Sequence, residues 1–354
     1  MFGLSLKKLA CTAFMGGALA LSGGAWAQKS DEPIRWTLQS TWAPGLEIQR
    51  QIDEFAKKVE RMSNGRLVIK SLPGGSIVGG LQVFDAVEDG VLDAAYSAAF
   101  YWVGNQPVSP FFAAVPAGLT VLEYIMWLYH GPGLEYWKEA YADYNFGWVG
   151  AAGINNTEIF AWTNKPLDSL DDFKGLKFRT VGYWGEILTN LGASVVTLPG
   201  SEIYGALERG VIDAAEFANP EGDWGSGMHE VAKYAYVPGI HQPTSMMELI
   251  INKDSWEALP DDLKAIVQEA AKASVLEGLG HTLTKDAEAL TKFEQYGTEI
   301  RRLSPEVMQQ IATLAHDLYK KKSAENPLFK KIYESQMEYK GKFEHLQKYM
   351  EVRY

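Results

Sequence analysis

The chain has 354 residues, enough for two domains, and its 44 acidic residues outnumber 33 basic ones, which gives a net charge of −11 at pH 7. This acidic balance argues against a nucleic-acid-binding protein, because affinity for nucleic acid comes mainly from Lys and Arg contacts to phosphate. The single cysteine, Cys11, excludes an intramolecular disulfide framework.

The first 27 residues predict a signal peptide. Lys7 and Lys8 precede an apolar run at 9–21, and Ala25-Trp26-Ala27 forms a small-x-small cleavage site. The apolar run is shorter than the roughly 20 residues that a membrane span needs. We therefore expect cleavage after Ala27 and a soluble, exported mature protein without cysteine. Loss of the two lysines changes its net charge to −13. An uncleaved membrane anchor is the alternative.

The predicted fold begins with a strand, a helix and a second strand. The strands lie at 35–39 and 67–69, and the loop at 41–42 follows the first of them. Because a helical crossover joins parallel strands, this start implies a parallel sheet whose ligand end includes that loop. The apolar face of the helix recurs at helical spacing in Ile48, Ile52, Phe55, Val59 and Met62.

Two stretches 120 positions apart share one pattern. Residues 81–96 and 201–216 have Ala, Glu, Gly, Val, Asp, Ala and Ala in register. We interpret each stretch as a short helix, a glycine turn and a buried strand, with Gly90 and Gly210 in the left-handed conformation that ends the helices. The duplication predicts two similar α/β lobes, and chance similarity between two βαβ units is the alternative.

The rest of the chain predicts lobe crossings and helices. A helical region at 122–144 precedes a glycine-rich strand at 147–153, and an apolar strand at 247–252 makes the second crossing. From 259 to 354 the pattern is nearly all helical.

These elements place the predicted domains. We assign the first lobe to 34–150, with return strands at about 246–300, the second lobe to 151–245, and C-terminal helices to 301–354. The apolar stripe of the last helix either packs on its own lobe or forms a dimerisation helix.

The stretch 173–217 carries the main functional hypothesis. It reads as strand, helix and strand, with Arg179 at the end of the first strand and Glu216 at the end of the last. Open α/β sheets bind ligands at such strand ends. An arginine fork fits a carboxylate bidentately, so we predict recognition of a small organic acid. A surface arginine and a solvated glutamate are the alternative.

Catalytic motifs are hard to find. The six histidines include no pair at the i, i+4 spacing of a zinc helix, and neither a G-x-S-x-G elbow nor a P-loop occurs. These absences favour a binding protein over an enzyme.

Five motifs carry a family resemblance. They are Leu-Gln-Ser-Thr-Trp at 38–42, Phe-Lys-Gly-Leu-Lys-Phe-Arg at 173–179, Val-Ile-Asp-Ala-Ala-Glu-Phe at 211–217, Tyr-Val-Pro-Gly at 236–239 and Glu-Leu-Ile-Ile-Asn-Lys at 248–253. With them the mature chain resembles the periplasmic solute-binding proteins of TRAP (tripartite ATP-independent periplasmic) transporters, in the branch that binds 2-oxo acids and lactate.

The resemblance implies a fold and a set of partners. The fold would be the two-lobed α/β periplasmic-binding-protein fold (type II-like) with long C-terminal helices. In the periplasm the protein would close over a small organic carboxylate, a 2-oxo or 2-hydroxy acid. It would deliver that acid to small and large integral membrane subunits.

The resemblance also implies site residues. Arg179 matches the arginine that grips the substrate carboxylate. Glu216 matches a metal ligand, and Phe217, where relatives have tryptophan, would contribute its backbone carbonyl. Glu158 stands where the branch usually has glutamine, and Glu248 where calcium-dependent relatives carry an acid. Candidate wall residues of the cleft are Gln39, Trp42, Tyr101, Trp102 and Asn156.

The predicted metal site needs a cation. Three carboxylates at one site repel each other unless a cation compensates their charge. Oxygen donors without His or Cys favour a hard ion, and three acids favour Ca²⁺ over Na⁺. Alternatively, Glu158 faces solvent or hydrogen-bonds the ligand, and only two acids bind metal.

Two other functions stay open. One is a periplasmic metal-dependent hydrolase or lyase that uses Glu158, Glu216 and a divalent ion. The other is a sensory or structural module that presents a ligand to a receptor.

Overall fold

The computed structural model describes residues 32–351, so the predicted signal peptide at 1–27 lies outside the described residues. Short strands alternate with helices along most of this range, as in α/β proteins. The strands are β1 (Ile34–Ser40), β2 (Leu67–Leu72), β3 (Ala94–Ser97), β4 (Phe146–Asn155), β5 (Ala161–Thr163), β6 (Lys177–Arg179), β7 (Ser194–Val196), β8 (Ala214–Ala215), β9 (Tyr234–Val237), β10 (Ser245–Asn252) and β11 (Glu299–Arg302).

The α-helices include three long ones near the C-terminus. They are α1 (Glu47–Met62), α2 (Val83–Glu88), α3 (Val121–His130), α4 (Gly133–Ala140), α5 (Gly182–Asn190), α6 (Gly200–Glu208), α7 (Pro220–Gly225), α8 (Met228–Val231), α9 (Lys253–Glu257), α10 (Asp261–Tyr296), α11 (Pro305–Glu325) and α12 (Pro327–Met350).

The strands form two sheets with related topology. The first has the order β2-β1-β3-β10-β4, in which β1, β2 and β3 are parallel and β10 is antiparallel to its neighbours. The second has the order β11-β9-β5-β8-β6-β7, in which β6, β7 and β8 are parallel and β5 is antiparallel. Each sheet is the centre of one lobe, which confirms the predicted two-lobed α/β fold.

The predicted duplication is visible in backbone detail. Gly90 and Gly210 both have positive φ, at 73° and 67°. After each glycine an aspartate accepts the backbone N–H of the neighbouring strand. Asp93 Oδ2 accepts from Thr37 at 2.7 Å, and Asp213 Oδ2 accepts from Lys177 at 3.0 Å. The repeated Gly-Val-x-Asp pattern therefore fixes the same helix-to-strand turn in both lobes.

Two predicted helical regions differ from the structure. The region 122–144 is two helices, because α3 ends at His130 and Gly131-Pro132 separates it from α4. The predicted C-terminal helical region contains β11, which pairs in parallel with β9. Gly297, at φ 98°, ends α10 and lets the chain turn into that edge strand. The C-terminal helices therefore begin at Pro305 rather than at residue 301.

The helix α10 joins the two lobes. It packs on β4 and α1 of the first lobe and on α7 of the second. Along the helix, buried residues recur at steps of three and four, which presents one continuous face to both lobes. Within residues 32–351, none of the helices combines the length and the apolar character that crossing a membrane requires.

Candidate metal and carboxylate site

Two adjacent parallel strands place the predicted cation and anion side by side. Arg179, the last residue of β6, pairs in register with Ala215 of β8, so Glu216 follows at the same end of the sheet. Both side chains are buried, at 1 % exposure. The structure thus brings together the two residues that the strand-end argument selected.

The guanidinium of Arg179 is held by backbone and side chain together. Its Nε and Nη2 donate to the carbonyl of Leu198, at 3.1 and 2.9 Å. Its Nη1 donates to the carbonyl of Glu216 at 2.8 Å and to Oε1 of Glu216 at 3.2 Å. These contacts occupy most of the N–H donors of the fork and fix its orientation before any ligand arrives.

The two segments that cross between the sheets supply two further side chains. Glu158 lies between β4 and β5, and His241 lies between β9 and β10. The crossings are in close contact, since the N–H of Glu158 donates to the carbonyl of Gln242 at 3.3 Å. A Cβ atom at Gly239 would lie 2.4 Å from the carbonyl oxygen of Glu158, so only glycine permits this approach.

Glu158, Glu216 and His241 form one buried cluster. Their ligand atoms all lie within 4.8 Å of one another. His241 Nε2 is 3.5 Å from Oε2 of Glu158 and 4.0 Å from Oε2 of Glu216. Both of these carboxylate oxygens and both ring nitrogens of His241 lack a hydrogen-bond partner among the described residues.

These unpaired atoms fit a metal ion. Buried polar atoms without partners are rare in folded proteins, and each costs about 1–3 kcal/mol. Ligand atoms at about 2.0–2.6 Å from one ion lie about 3–5 Å apart, a range that includes the 3.5 and 4.0 Å separations and the 4.8 Å limit of this cluster. Glu158, Glu216 and His241 could therefore hold a cation, which would polarise the oxygens of a bound acid.

Burial shifts the pKa values of the cluster. It raises the pKa of Glu158 well above the usual carboxyl value, and the charges of Glu216 and Asp223 add to the rise. It raises the pKa of Glu216 as well, although Arg179 opposes that change. It lowers the pKa of His241 to about 3, helped by the charge of Arg179, so the imidazole is neutral at pH 7.

Asp223 is a further acid that the sequence did not suggest. It is completely buried, and its Oδ2 accepts from Nε1 of Trp162 at 2.6 Å, while Oδ1 has no partner among the described residues. Burial raises its pKa well above the usual value, and the charge of Glu216 contributes. If Glu158, Glu216 and Asp223 were all ionised, their charge would exceed that of Arg179 by two.

Tyr101 and Trp102, adjacent in sequence, point in different directions. Burial raises the pKa of Tyr101, and the charge of Arg179 opposes the rise, so this phenol lies beside the cluster. Trp102 instead donates its indole N–H to Glu248 at 2.7 Å. Trp137 donates to the same carboxylate at 3.2 Å. Glu248 is therefore held inside the first lobe and is absent from the acid–histidine clusters of the described residues.

The remaining predicted wall residues have other contacts. The side chain of Gln39 donates to the carbonyl of Val78 and accepts from the N–H of Ile77, so it holds that loop. Trp42 packs edge-on against Tyr96, with ring centroids 5.4 Å apart.

Asn156 and Phe217 contact different parts of the structure. Asn156 donates to Asp286 of α10 at 3.3 Å. The ring of Phe217 lies 6.0 Å from the guanidinium carbon of Arg179 and packs directly on Gly200. Phe217 thus covers the arginine, while the side-chain amide of Asn156 is engaged by the long helix.

His241 is another residue that sequence reasoning missed. Its neighbours Glu158 and Glu216 lie far away in the chain, so no local spacing reveals it. The available signal was the Pro238-Gly239 turn after an apolar strand, with His241 two residues later.

Comparisons with known proteins agree with this architecture. Residues 38–326 match the family described as bacterial extracellular solute-binding protein, family 7 (DctP). The monocarboxylate 2-oxoacid-binding periplasmic protein of Nostoc sp. strain PCC 7120 is 34% identical over 301 residues, 85% of this chain and 82% of that protein.

Two solved TRAP periplasmic solute-binding proteins are each 31% identical to the chain. The Colwellia psychrerythraea protein holds calcium and pyruvate, with a TM-score of 0.85 over 89% of this chain and 97% of that one. The Pseudoalteromonas atlantica protein holds sodium and pyruvate, with a TM-score of 0.86 over 90% and 97%. The chain therefore belongs to the family 7 extracellular solute-binding proteins (DctP), the periplasmic binding proteins of TRAP transporters.

Proposed function

We propose that this protein captures a small 2-oxo or 2-hydroxy monocarboxylate together with a metal ion and delivers it to the small and large integral membrane subunits of its transporter. The observation that carries the proposal is the buried contact of Arg179 with Glu216 beside the unpaired atoms of Glu158 and His241. A guanidinium and a cation side by side can grip the carboxylate and the neighbouring oxygen of such an acid.

Relatives support this ligand class. The Nostoc relative binds monocarboxylate 2-oxoacids, and both solved relatives hold pyruvate with a metal ion. In this chain Arg179 would bind the ligand carboxylate, and Tyr101 would lie beside it. Glu216, Glu158 and the backbone carbonyl of Phe217 would face the metal.

Charge favours a divalent ion. When ionised, Glu158, Glu216 and Asp223 carry three negative charges, of which Arg179 neutralises one. All four side chains are buried. Because uncompensated buried charges are costly, Ca²⁺ suits this chain better than Na⁺. An ion there would also keep Glu158 and Glu216 ionised, in the form that binds it.

The buried site requires the lobes to open and close. Arg179, Glu158, Glu216 and His241 are all at least 97 % buried, so a ligand can enter only when the lobes separate. Closure would exclude water and strengthen the contacts between ligand, guanidinium and metal.

A second set of side chains holds the lobes together in this state. His281 of α10 contacts Glu47 of α1 at 3.0 Å and Glu221 of α7 at 3.2 Å. Since α1 and α7 belong to different lobes, this bridge would favour the closed form.

Export and assembly complete the proposal. Cleavage after Ala27 would release the protein into the periplasm. The end of α12 exposes Leu346, Tyr349 and Met350, and a homodimer would cover this apolar surface. The protein would return its ligand unchanged, as expected for a receptor rather than for an enzyme.

Calorimetry tests the proposal. Purified protein is treated with a chelator and titrated with pyruvate or lactate, with and without added Ca²⁺. We expect tight binding only with the ion, and quantitative recovery of the acid afterwards. Equal affinity with and without the ion would remove the metal from the proposal, and conversion of the acid would replace the receptor with an enzyme.

A further inference from the structure

The most unusual polar group of the described region is the imidazole of His241. The residue is completely buried, and neither Nδ1 nor Nε2 has a hydrogen-bond partner among residues 32–351. Its ring is fixed by aromatic neighbours, with centroids 5.4 Å from Phe160 and 6.2 Å from Trp184. A fixed, buried imidazole without partners is suited to a ligand that the protein itself does not supply.

The direction in which Nε2 of His241 points indicates that this ligand is a metal ion. It faces Oε2 of Glu158 at 3.5 Å and Oε2 of Glu216 at 4.0 Å, too far for good hydrogen bonds. Those two oxygens are also unpaired. Three unpaired donor atoms that converge in this way would share one ion rather than bond to each other.

We propose that His241 coordinates the metal through Nε2, so that the site has a nitrogen donor and accepts Mn²⁺, Co²⁺ and Zn²⁺ as well as Ca²⁺. This proposal rests on the metal of the proposed function and deepens it. Imidazole is a ligand for transition ions, whereas Ca²⁺ prefers oxygen donors. A site with two carboxylates and one imidazole should therefore bind Zn²⁺ and Co²⁺ more tightly than an oxygen-only site would.

The second acid–histidine cluster provides a matched control. Glu47, Glu221 and His281 also bring their ligand atoms within 4.8 Å of one another. That cluster is already paired, because His281 contacts both acids and Arg50 donates to Glu47. His281→Asn thus removes a comparable imidazole without touching the proposed metal centre.

The experiment begins with the unmodified protein. After chelation it is titrated with Ca²⁺ and pyruvate, which tests the proposed function alone. If neither binds, the proposed function fails. If they bind, Co²⁺ and Zn²⁺ are titrated into the parent, His241→Asn and His281→Asn, with Co²⁺ followed by visible absorption and by NMR of protein labelled with ¹⁵N-histidine.

The results expected are specific to His241. In His241→Asn the affinities for Co²⁺ and Zn²⁺ should fall by about 100-fold or more, and the affinity for Ca²⁺ by less than about tenfold. His281→Asn, which also loses the bridge between α1 and α7, should leave the ratio of the Co²⁺ and Ca²⁺ affinities within about twofold of the parent ratio. The Co²⁺-loaded parent should show one hyperfine-shifted imidazole that His241→Asn lacks.

Three results would overturn the inference. The first is a Co²⁺ affinity of His241→Asn within about threefold of that of the parent. The second is a variant in which only the pyruvate affinity falls, because the imidazole would then contact the organic acid and not the metal. If His241→Asn fails to fold, the parent spectrum decides, because absence of a hyperfine-shifted imidazole excludes coordination by histidine.

Discussion

The Nη1 atom of Arg179 donates to the backbone carbonyl of Glu216 at 2.8 Å and to Oε1 of the same residue at 3.2 Å. One guanidinium therefore fixes both the end of β8 and the orientation of its carboxylate. The other oxygen, Oε2, remains without a partner in the described cluster. Arg179 thus positions Glu216 in addition to its proposed contact with the ligand.

Removal of Arg179 should have two effects. We expect Arg179→Ala to abolish measurable pyruvate binding and to lower the free energy of unfolding by about 3–5 kcal/mol, because Glu216 loses its buried partner. Arg179→Lys should also bind poorly, since an ammonium cannot reproduce the fork to Leu198 and Glu216. Calorimetry and urea unfolding measure both effects, with Arg209→Ala, at an exposed position, as control. Pyruvate affinity of Arg179→Ala within tenfold of the parent would refute the assigned site.

Glu158 should decide whether the site prefers a divalent or a monovalent metal ion. We expect Glu158→Gln to weaken Ca²⁺ binding by about 10–100-fold and to favour Na⁺ relative to Ca²⁺, because one negative charge is lost from a buried site. Pyruvate titrations in Ca²⁺ and in Na⁺ measure this change, and Glu202→Gln, on the exposed face of α6, is the control. An unaltered ratio of the two affinities would mean that Glu158 does not face the ion.

Glu248 should make stability depend on pH. Burial raises its pKa to about 7, against a usual value of 4.5, although Trp102 donates to it. The folded state then binds more protons between these values, so the free energy of unfolding falls as pH rises from about 5 to 8. Glu248→Gln removes this contribution. The free energy of unfolding of the variant should therefore rise by about 3 kcal/mol relative to that of the parent as pH increases over that range.

Urea unfolding of Glu248→Gln and the parent at several pH values measures the change. Only the difference between the two proteins is used, because other groups titrate in the same range. A difference that stays constant with pH would show that Glu248 is ionised in the folded protein throughout. If the difference in the free energy of unfolding depended on pH only after Ca²⁺ had been removed, Glu248 would be connected to the metal, as the resemblance implies.

The duplicated aspartates should contribute equally to their lobes. We expect Asp93→Ala and Asp213→Ala each to lower the free energy of unfolding by about 1–3 kcal/mol, because each leaves a strand N–H without its acceptor. As the two sites lie in different sheets, the double variant should show the sum. Chemical unfolding tests this, with exposed Asp143→Ala as reference. Single effects below about 0.5 kcal/mol would argue against a structural role of the repeat.

The strand-end rule explains why part of the site was predictable. Arg179 ends β6 and Glu216 follows β8, and parallel strands bring such residues to one edge of the sheet. The helix–glycine–strand repeat was equally predictable, because both helices end at a glycine in the left-handed conformation, and glycine adopts that conformation most readily.

Other features depend on contacts that the sequence does not encode locally. The pairing of β10 with β4 shifts register between Met247 and Glu248, and this irregularity decides which way Glu248 points. His241 reaches Glu158 only because two crossing segments meet at Gly239. The edge strand β11 is only four residues long and lies between two long helices. The helical pattern of the flanking sequence therefore predicts a helix there too.

The indole of Trp184 lies against His241, with centroids 6.2 Å apart, and is almost entirely shielded from solvent. Its emission will respond to a charge that arrives on the far side of the imidazole. The protein thus carries a fluorescent side chain beside its proposed cation site, and the difference in emission between the parent and Trp184→Phe permits stopped-flow measurement of cation arrival and acid capture without any attached dye.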